Sequence, residues 1–231
     1  PEFADILLVK ENNAYDIAEK SRRICMATDL VHYFLPDYDS HVGKAYLKPD
    51  IELSKKYREF LPEGKVLVGL NWRSSVVSYM RNEHYLDVSE ITPLFDVPNV
   101  VFVNLQYGDD NEDIMSLKEL YPDKFFCIDG LDLYDDLDGV AALIHCLDLV
   151  IAPCTVIVEL AGAIGKKSLL FSNSAEINPR KKVASQPTCV WRNDIEIVDA
   201  EPLGDKRALV RQVVKRLGEI SDQLKVEVKS K

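Results

Sequence analysis

From Lys65 onward the sequence alternates two kinds of segment, and that alternation restricts its fold more than any other feature. Six short apolar runs read as strands: KVLVGLNW (65–72), VPNVVFVNLQYG (97–108), DKFFCIDG (123–130), LDLVIAPC (147–154), KKSLLFS (166–172) and DIEIVDA (194–200). Between and after them lie helical segments at 88–96, 111–122, 135–147, 155–165 and 205–224. A strand that is apolar throughout, rather than at every second position, must be covered on both faces. Strands of that kind joined through helices are parallel, because a parallel pair needs a long crossover. The expectation is an α/β chain with a doubly wound, mostly parallel, Rossmann-like sheet.

The first 64 residues break the pattern. ADILLV (4–9) reads as a strand, residues 14–35 as a helix, 37–50 as a loop and IELSKKYREFLPEGK (51–65) as a helix leading into the first strand. Residues 1–64 are therefore assigned to a short helical or linker segment, a fragment of another lobe, and residues 65–231 to the sheet domain. The opening Pro1-Glu2-Phe3, with no initiator Met, is read as a cut from something longer.

Charge and cysteine content narrow the function. Lys and Arg total 28 against 38 Asp and Glu, a net charge of −10. This argues against nonspecific binding to nucleic acid or an anionic membrane, although a local cluster of backbone N–H groups can still hold an anion. Five cysteines, an odd number with no CxxC pair, fit reduced thiols in the cytoplasm better than a disulfide framework or a zinc site. No signal peptide is read, and Asp148 and Glu159 interrupt the longest apolar stretch, so no transmembrane segment is expected.

In such a sheet ligands bind outside the carboxyl ends of the strands. Those ends carry Asn71, Trp72, Arg73, Ser74 and Ser75; Gln106, Tyr107, Gly108 and Asp109; Asp129, Gly130 and Asp132; Cys154, Thr155 and Val156; and Ser172, Asn173 and Ser174. Thr155 is expected to cap the helix TVIVELAGAIG, whose first-turn N–H groups and dipole favour an anion such as phosphate. A cap with nothing bound is the alternative. Glu159, in that helix, is either a half-exposed carboxylate or a partner for a ribose hydroxyl. Arg73 directly follows a strand, so its guanidinium either meets a phosphate or forms a surface ion pair. Asp135 or Asp136 is expected to cap the next helix upstream, with Asp138 in its first turn. DDLD resembles a metal motif by letters, but acids are expected at a helix start, and no metal is assigned. GxGxxG, GxxxxGK[ST] and GxSxG are absent, and the four histidines are scattered.

Taken together, VGLNWRSS (68–75) with Arg81 and Tyr85 after it, PLFDVPNVVFVNLQYGD (93–109), DLDGVAALIHCLDLVIAPCTVIVELAGAIGKK (136–167) and the closing helix resemble one known pattern. It is the donor-binding C-terminal half of GT-B glycosyltransferases, nearest the bacterial tetratricopeptide-associated and heptosyltransferase-like groups. The resemblance covers about residues 60 to 220. In that family a W-R-(G/S) element faces the donor, matched by Trp72, Arg73 and Ser74, and a strand ends in L-Q, matched by Leu105 and Gln106. The fourth strand ends (D/N)-T-(G/S) before a His-Leu-Ala-Gly-Ala-x-Gly helix; Thr155 and the run 160–165 match. Cys154, Val156 and Glu159 stand where an acid, Gly or Ser, and His are common. A Glu repels a diphosphate that a His would hold.

The resemblance implies a nucleotide-diphosphate-sugar donor with no metal and no further cofactor, and an unidentified protein or glycan acceptor. It implies donor contacts from Asn71, Arg73, Ser74, Gln106, Asp138, Cys154, Thr155, Val156 and Glu159. Lys166, Lys167, Arg180, Lys181 and Arg192 are further basic candidates. GT-B enzymes commonly draw the general base from the N-terminal lobe, and about 60 residues are too few for one, so no base is assigned and a missing N-terminal lobe or tetratricopeptide region is expected. Two other readings stand beside the transferase: a scaffold domain that has lost the chemistry, favoured by the departures at 154, 156 and 159, and a nucleotide-sugar epimerase.

Overall fold

The computed structural model describes residues 43–75, 82, 84–108, 111–174, 187–189, 191–200 and 204–229; the strand and helix expected at 4–9 and 14–35 lie outside them, as do Arg81, Asp109, Arg180 and Lys181. Among the described residues seven strands form one sheet: β1 (Val66–Leu70), β2 (Val100–Asn104), β3 (Phe125–Phe126), β4 (Leu149–Ala152), β5 (Ser168–Ser172), β6 (Thr188–Cys189) and β7 (Arg192–Asp199). Their order is β3-β2-β1-β4-β5-β7-β6. All pairings are parallel except β6 with β7. The expected mostly parallel, doubly wound sheet is the one observed.

The two-sided burial of the strands explains the layers. Val66, Val68 and Leu70 of β1, Phe102 of β2 and Phe171 of β5 face one core. It is completed by a short helix α2 (Val88–Ile91) with its 3-10 extension (Thr92–Asp96), by α3 (Asn111–Leu120) and by α6 (Lys206–Lys229). Leu67, Val103, Val150 and Leu170 face the other core, under α1 (Ile51–Glu59), α4 (Leu137–Cys146) and α5 (Val156–Ala163). Side chains alternate between the two cores because strand period is two.

Local chemistry sets the boundaries. Asp50 caps α1, its carboxylate accepting from Leu53 N at 3.0 Å, and the helix ends before Pro62 and Gly64, the latter at φ +68°. It therefore stops short of the expected 65. Leu61 and Tyr57 pack in the second core, so residues 51–61 build onto the sheet. Residues 88–96, expected as one helix, split into α2 and the 3-10 turn, where Pro93 withholds a backbone donor. Asp136 caps α4, accepting from Gly139 N at 2.8 Å. The strap at 43–50 donates Tyr46 N and Leu47 N to Ala163 O, at 2.9 and 3.0 Å, satisfying an orphan carbonyl at the end of α5. Among the described residues no helix is long and apolar enough to cross a membrane.

Gly69 shows how tightly the sheet packs beside the loops. A Cβ there would lie 2.4 Å from Leu105 Cδ1 and 2.8 Å from Leu147 Cδ1. A side chain at 69 would force Leu105 and Leu147 to shift from where they lie against β1.

Candidate functional site

Crossovers run outward from β1 through β2 to β3, then return to β4 on its other side. The direction of winding thus reverses between the parallel neighbours β1 and β4, and the carboxyl edge at such a switch point is where open α/β sheets have their ligand crevice. The residues following β1, β2 and β4 meet there in a hydrogen-bonded network.

The carboxamides of Asn71 and Gln106, 0% and 1% exposed, are its centre. Gln106 Oε1 accepts from Asn71 Nδ2, Trp72 N and Arg73 N at 2.9, 3.0 and 3.1 Å. Gln106 Nε2 donates to Arg73 O and Tyr107 O at 3.0 and 3.1 Å. Asn71 Nδ2 also donates to Arg73 O, at 3.0 Å. The Arg73 peptide is thus held on both its N–H and its C=O side. Asn104, just below, receives Gln106 N on its Oδ1 at 3.1 Å. Tyr107 OH donates to Ser74 Oγ at 3.3 Å, tying the β1 loop to the β2 loop again. Buried carboxamides that satisfy one another in this way fix the loops, since any unmade bond leaves a desolvated polar group.

Thr155 joins the network and corrects the expected cap. Its backbone is extended, as at an N-cap position, but no side chain caps α5. The hydroxyl instead donates to Asn71 Oδ1 at 2.8 Å, across the switch point. Its proton is committed, so an anion at the start of α5 would be met by backbone N–H groups rather than by this hydroxyl. Val156 begins the helix and is exposed; Cys154 and Glu159 are half-buried beside it.

The Arg73 side chain is 30% exposed, and its Nη2 donates to Asp113 Oδ2 at 3.0 Å, in the first turn of α3. Of the two alternatives raised for Arg73, the ion pair is the one observed, and it lies at the carboxyl edge. Asp113 was not singled out in the sequence, although an acid in the first turn of a helix is an ordinary signal.

Not every candidate comes together. Trp72, expected to face the donor, is fully buried among Leu70, Leu86 and Ile91, and its Nε1 has no hydrogen-bond partner among the described residues. It alternates onto the core face, as the residue two beyond Leu70 must. Asp138 is exposed in the first turn of α4, at the same edge but on the neighbouring helix. Lys166 and Lys167 precede β5 and Arg192 opens β7, so they lie at the amino edge of these parallel strands, opposite the carboxyl edge. Lys166 Nζ donates to His145 O at 2.9 Å and to Leu147 O, closing the end of α4, and burial pushes its pKa down. The Arg192 guanidinium lies 4.7 Å from the ring centroid of Tyr46. Sequence reading also passed over Tyr134, which lies beside Tyr107 with ring centroids 6.0 Å apart. Asp132 accepts from Tyr134 N and Asp135 N at 2.8 and 3.1 Å, and these donors hold its carboxyl below the usual range.

Comparison with solved structures identifies the fold. The chain has the fold of GT-B glycosyltransferases. A glycosyl transferase family 9 protein from Veillonella parvula superposes with a TM-score of 0.51 at 15% identity, over 78% of this chain and 50% of that one. The ADP-heptose lipopolysaccharide heptosyltransferase II of E. coli gives 0.53 at 14% identity, over 77% and 53%. Among curated proteins, protein FlbA of Caulobacter vibrioides is 37% identical over 134 residues, 57% of this chain and 22% of FlbA. The chain thus spans about half of the solved glycosyltransferases and under a quarter of FlbA. No family model matches the sequence.

Proposed function

We propose that this chain is the donor-binding part of a glycosyltransferase. It holds a nucleotide-diphosphate sugar at the crevice between β1 and β4 for transfer to a separate protein or glycan acceptor, in the cytoplasm and without a metal or further cofactor. Fold alone does not give function. The observation that carries the reading is the bond from Thr155 to Asn71, which brings the Arg73 loop and the start of α5 to one point of the sheet edge. Arg73 supplies a charge-assisted donor and α5 supplies outward N–H groups, the two elements that stabilise leaving diphosphate charge. Glu159 then faces a hydroxyl rather than phosphate.

A second reading has its own support. Asp113 already partners Arg73, and Glu159 adds negative charge in the first turn of α5, where an anion would sit. Both disfavour a diphosphate and favour a scaffold domain that keeps the fold without transfer. Calorimetric titration with UDP, GDP, CDP, ADP and their sugar conjugates, with and without EDTA, separates the two. Binding of one nucleotide, unchanged by EDTA and weakened about tenfold or more by Arg73→Ala as expected for a lost charged hydrogen bond, supports the donor site. No binding by any of them supports the scaffold.

A further inference from the structure

We infer that Gln106 and Thr155 are positioning residues of this site, acting on a bound anion through Arg73 without touching it. The inference rests on the donor-site reading. The polar sequence is directional. The Thr155 hydroxyl donates to Asn71 Oδ1, Asn71 Nδ2 donates to Gln106 Oε1, and Gln106 Nε2 donates to Arg73 O. Each donor–acceptor distance lies between 2.8 and 3.0 Å. Bonds aligned in this way polarise and strengthen one another in a buried setting. Asn71 and Gln106 are buried at 0% and 1% exposure and Thr155 at 7%, so no one of them reorients without leaving a desolvated polar atom.

The chain of bonds also ends at a specific place. Gln106 does not hold the Arg73 guanidinium; it holds the Arg73 peptide from both sides, with Oε1 taking the N–H and Nε2 reaching the C=O. The direction in which the side chain leaves that peptide is therefore set from below, while Asp113 meets the guanidinium from α3. A side chain whose base is clamped and whose tip is guided loses less conformational entropy when it binds an anion than a solvated arginine does. Thr155, between β4 and α5, feeds into the same clamp, so the loops after β1, β2 and β4 form one preorganised unit.

The consequence is non-additivity. Inorganic pyrophosphate and the four nucleoside diphosphates are titrated into the wild type, Thr155→Val, Thr155→Ser, Arg73→Ala and the Thr155→Val/Arg73→Ala double variant. Thr155→Val is expected to weaken binding several-fold, and by less than Arg73→Ala, because it acts only through the placement of Arg73. Thr155→Ser, which keeps the donating hydroxyl, recovers most of that loss. The double variant binds no worse than Arg73→Ala. Additive losses would mean that Thr155 acts on the ligand independently of Arg73, and would overturn the inference.

Amide hydrogen exchange tests the clamp without any ligand. Exchange at Trp72 N–H and Arg73 N–H, both bonded to Gln106 Oε1, is expected to accelerate strongly in Gln106→Met and by a smaller step in Thr155→Val, with Thr155→Ser close to wild type. Unchanged exchange at both amides in Gln106→Met overturns the inference whatever binds. If the wild type binds none of the probes while exchange accelerates as expected, the donor reading fails and the clamp stands as a feature of the loops alone.

Discussion

Replacing Asn71 by Asp changes one atom in the middle of the network and keeps its shape. The Asn71 side chain is fully buried, and its Nδ2 donates to Gln106 Oε1 at 2.9 Å and Arg73 O at 3.0 Å. An ionised carboxylate would turn an oxygen toward two acceptors, an arrangement costly enough that the group takes up a proton instead. Protonation caps the penalty. At pH 7, holding a carboxyl neutral against its ordinary value near 3.9 costs about 4 kcal/mol, at roughly 1.4 kcal/mol per pH unit. The protonated acid can replace only one of the two donations, which adds about 1 kcal/mol. Relative to wild type, the variant should therefore lose about 5 kcal/mol at pH 7 but only about 2 kcal/mol at pH 4.5. The sign follows from a folded value raised above the unfolded one: stability is retained below the unfolded value and lost as pH rises toward the folded value. Urea unfolding followed by fluorescence at both pH values measures this. Where the variant does not fold at pH 7, its recovery at pH 4.5 carries the test. A deficit that is the same at both values, or under about 1 kcal/mol at pH 7, would refute the burial and orientation assigned to this side chain.

Three further outcomes are expected. Gly69→Ala places a methyl 2.4 Å from Leu105 Cδ1 inside a packed core and should cost about 1–3 kcal/mol in urea unfolding; a neutral result would mean that Leu105 moves easily. Lys166→Met removes the Nζ that closes the end of α4 on His145 O and Leu147 O, and should lower stability by about 1–2 kcal/mol without altering nucleotide affinity, because the residue lies at the amino edge. The Asp132 turn, whose carboxyl is held low by the N–H groups of Tyr134 and Asp135, is intact above the ordinary carboxylate range and loosens as pH falls through the lowered value; the two amide proton signals should move together in an acid titration, and independent movement would deny the shared acceptor.

The parts of the fold that the sequence showed are those where burial is two-sided. The six apolar runs read as strands from residue 65 onward became β1 to β5 and β7, because such a run has to be covered on both faces, and its alternation between two cores followed. The antiparallel β6 was not anticipated, since two residues leave no period to read. Arg73 was placed at the correct edge by its position after a strand. Lys166, Lys167 and Arg192 were not, although strand direction alone settles it: in a parallel sheet, whatever precedes or opens a strand lies at the amino edge. Asn71, Gln106 and Thr155 were legible as residues of the carboxyl edge but not in their connections. The choice between facing a ligand and facing another loop depends on side-chain contacts made 34 to 84 positions apart, as between Trp72 and Gln106 or Asn71 and Thr155, and no local pattern encodes them.

The sheet also has unequal margins and middle. Its outermost strands, β3 and β6, are two residues each, while β1, β2 and β5 at the interior have five and β7 has eight. A margin that short presents almost no continuous row of backbone groups for another chain to zip onto. Among the described residues, strand addition at either margin could therefore recruit only a few backbone hydrogen bonds.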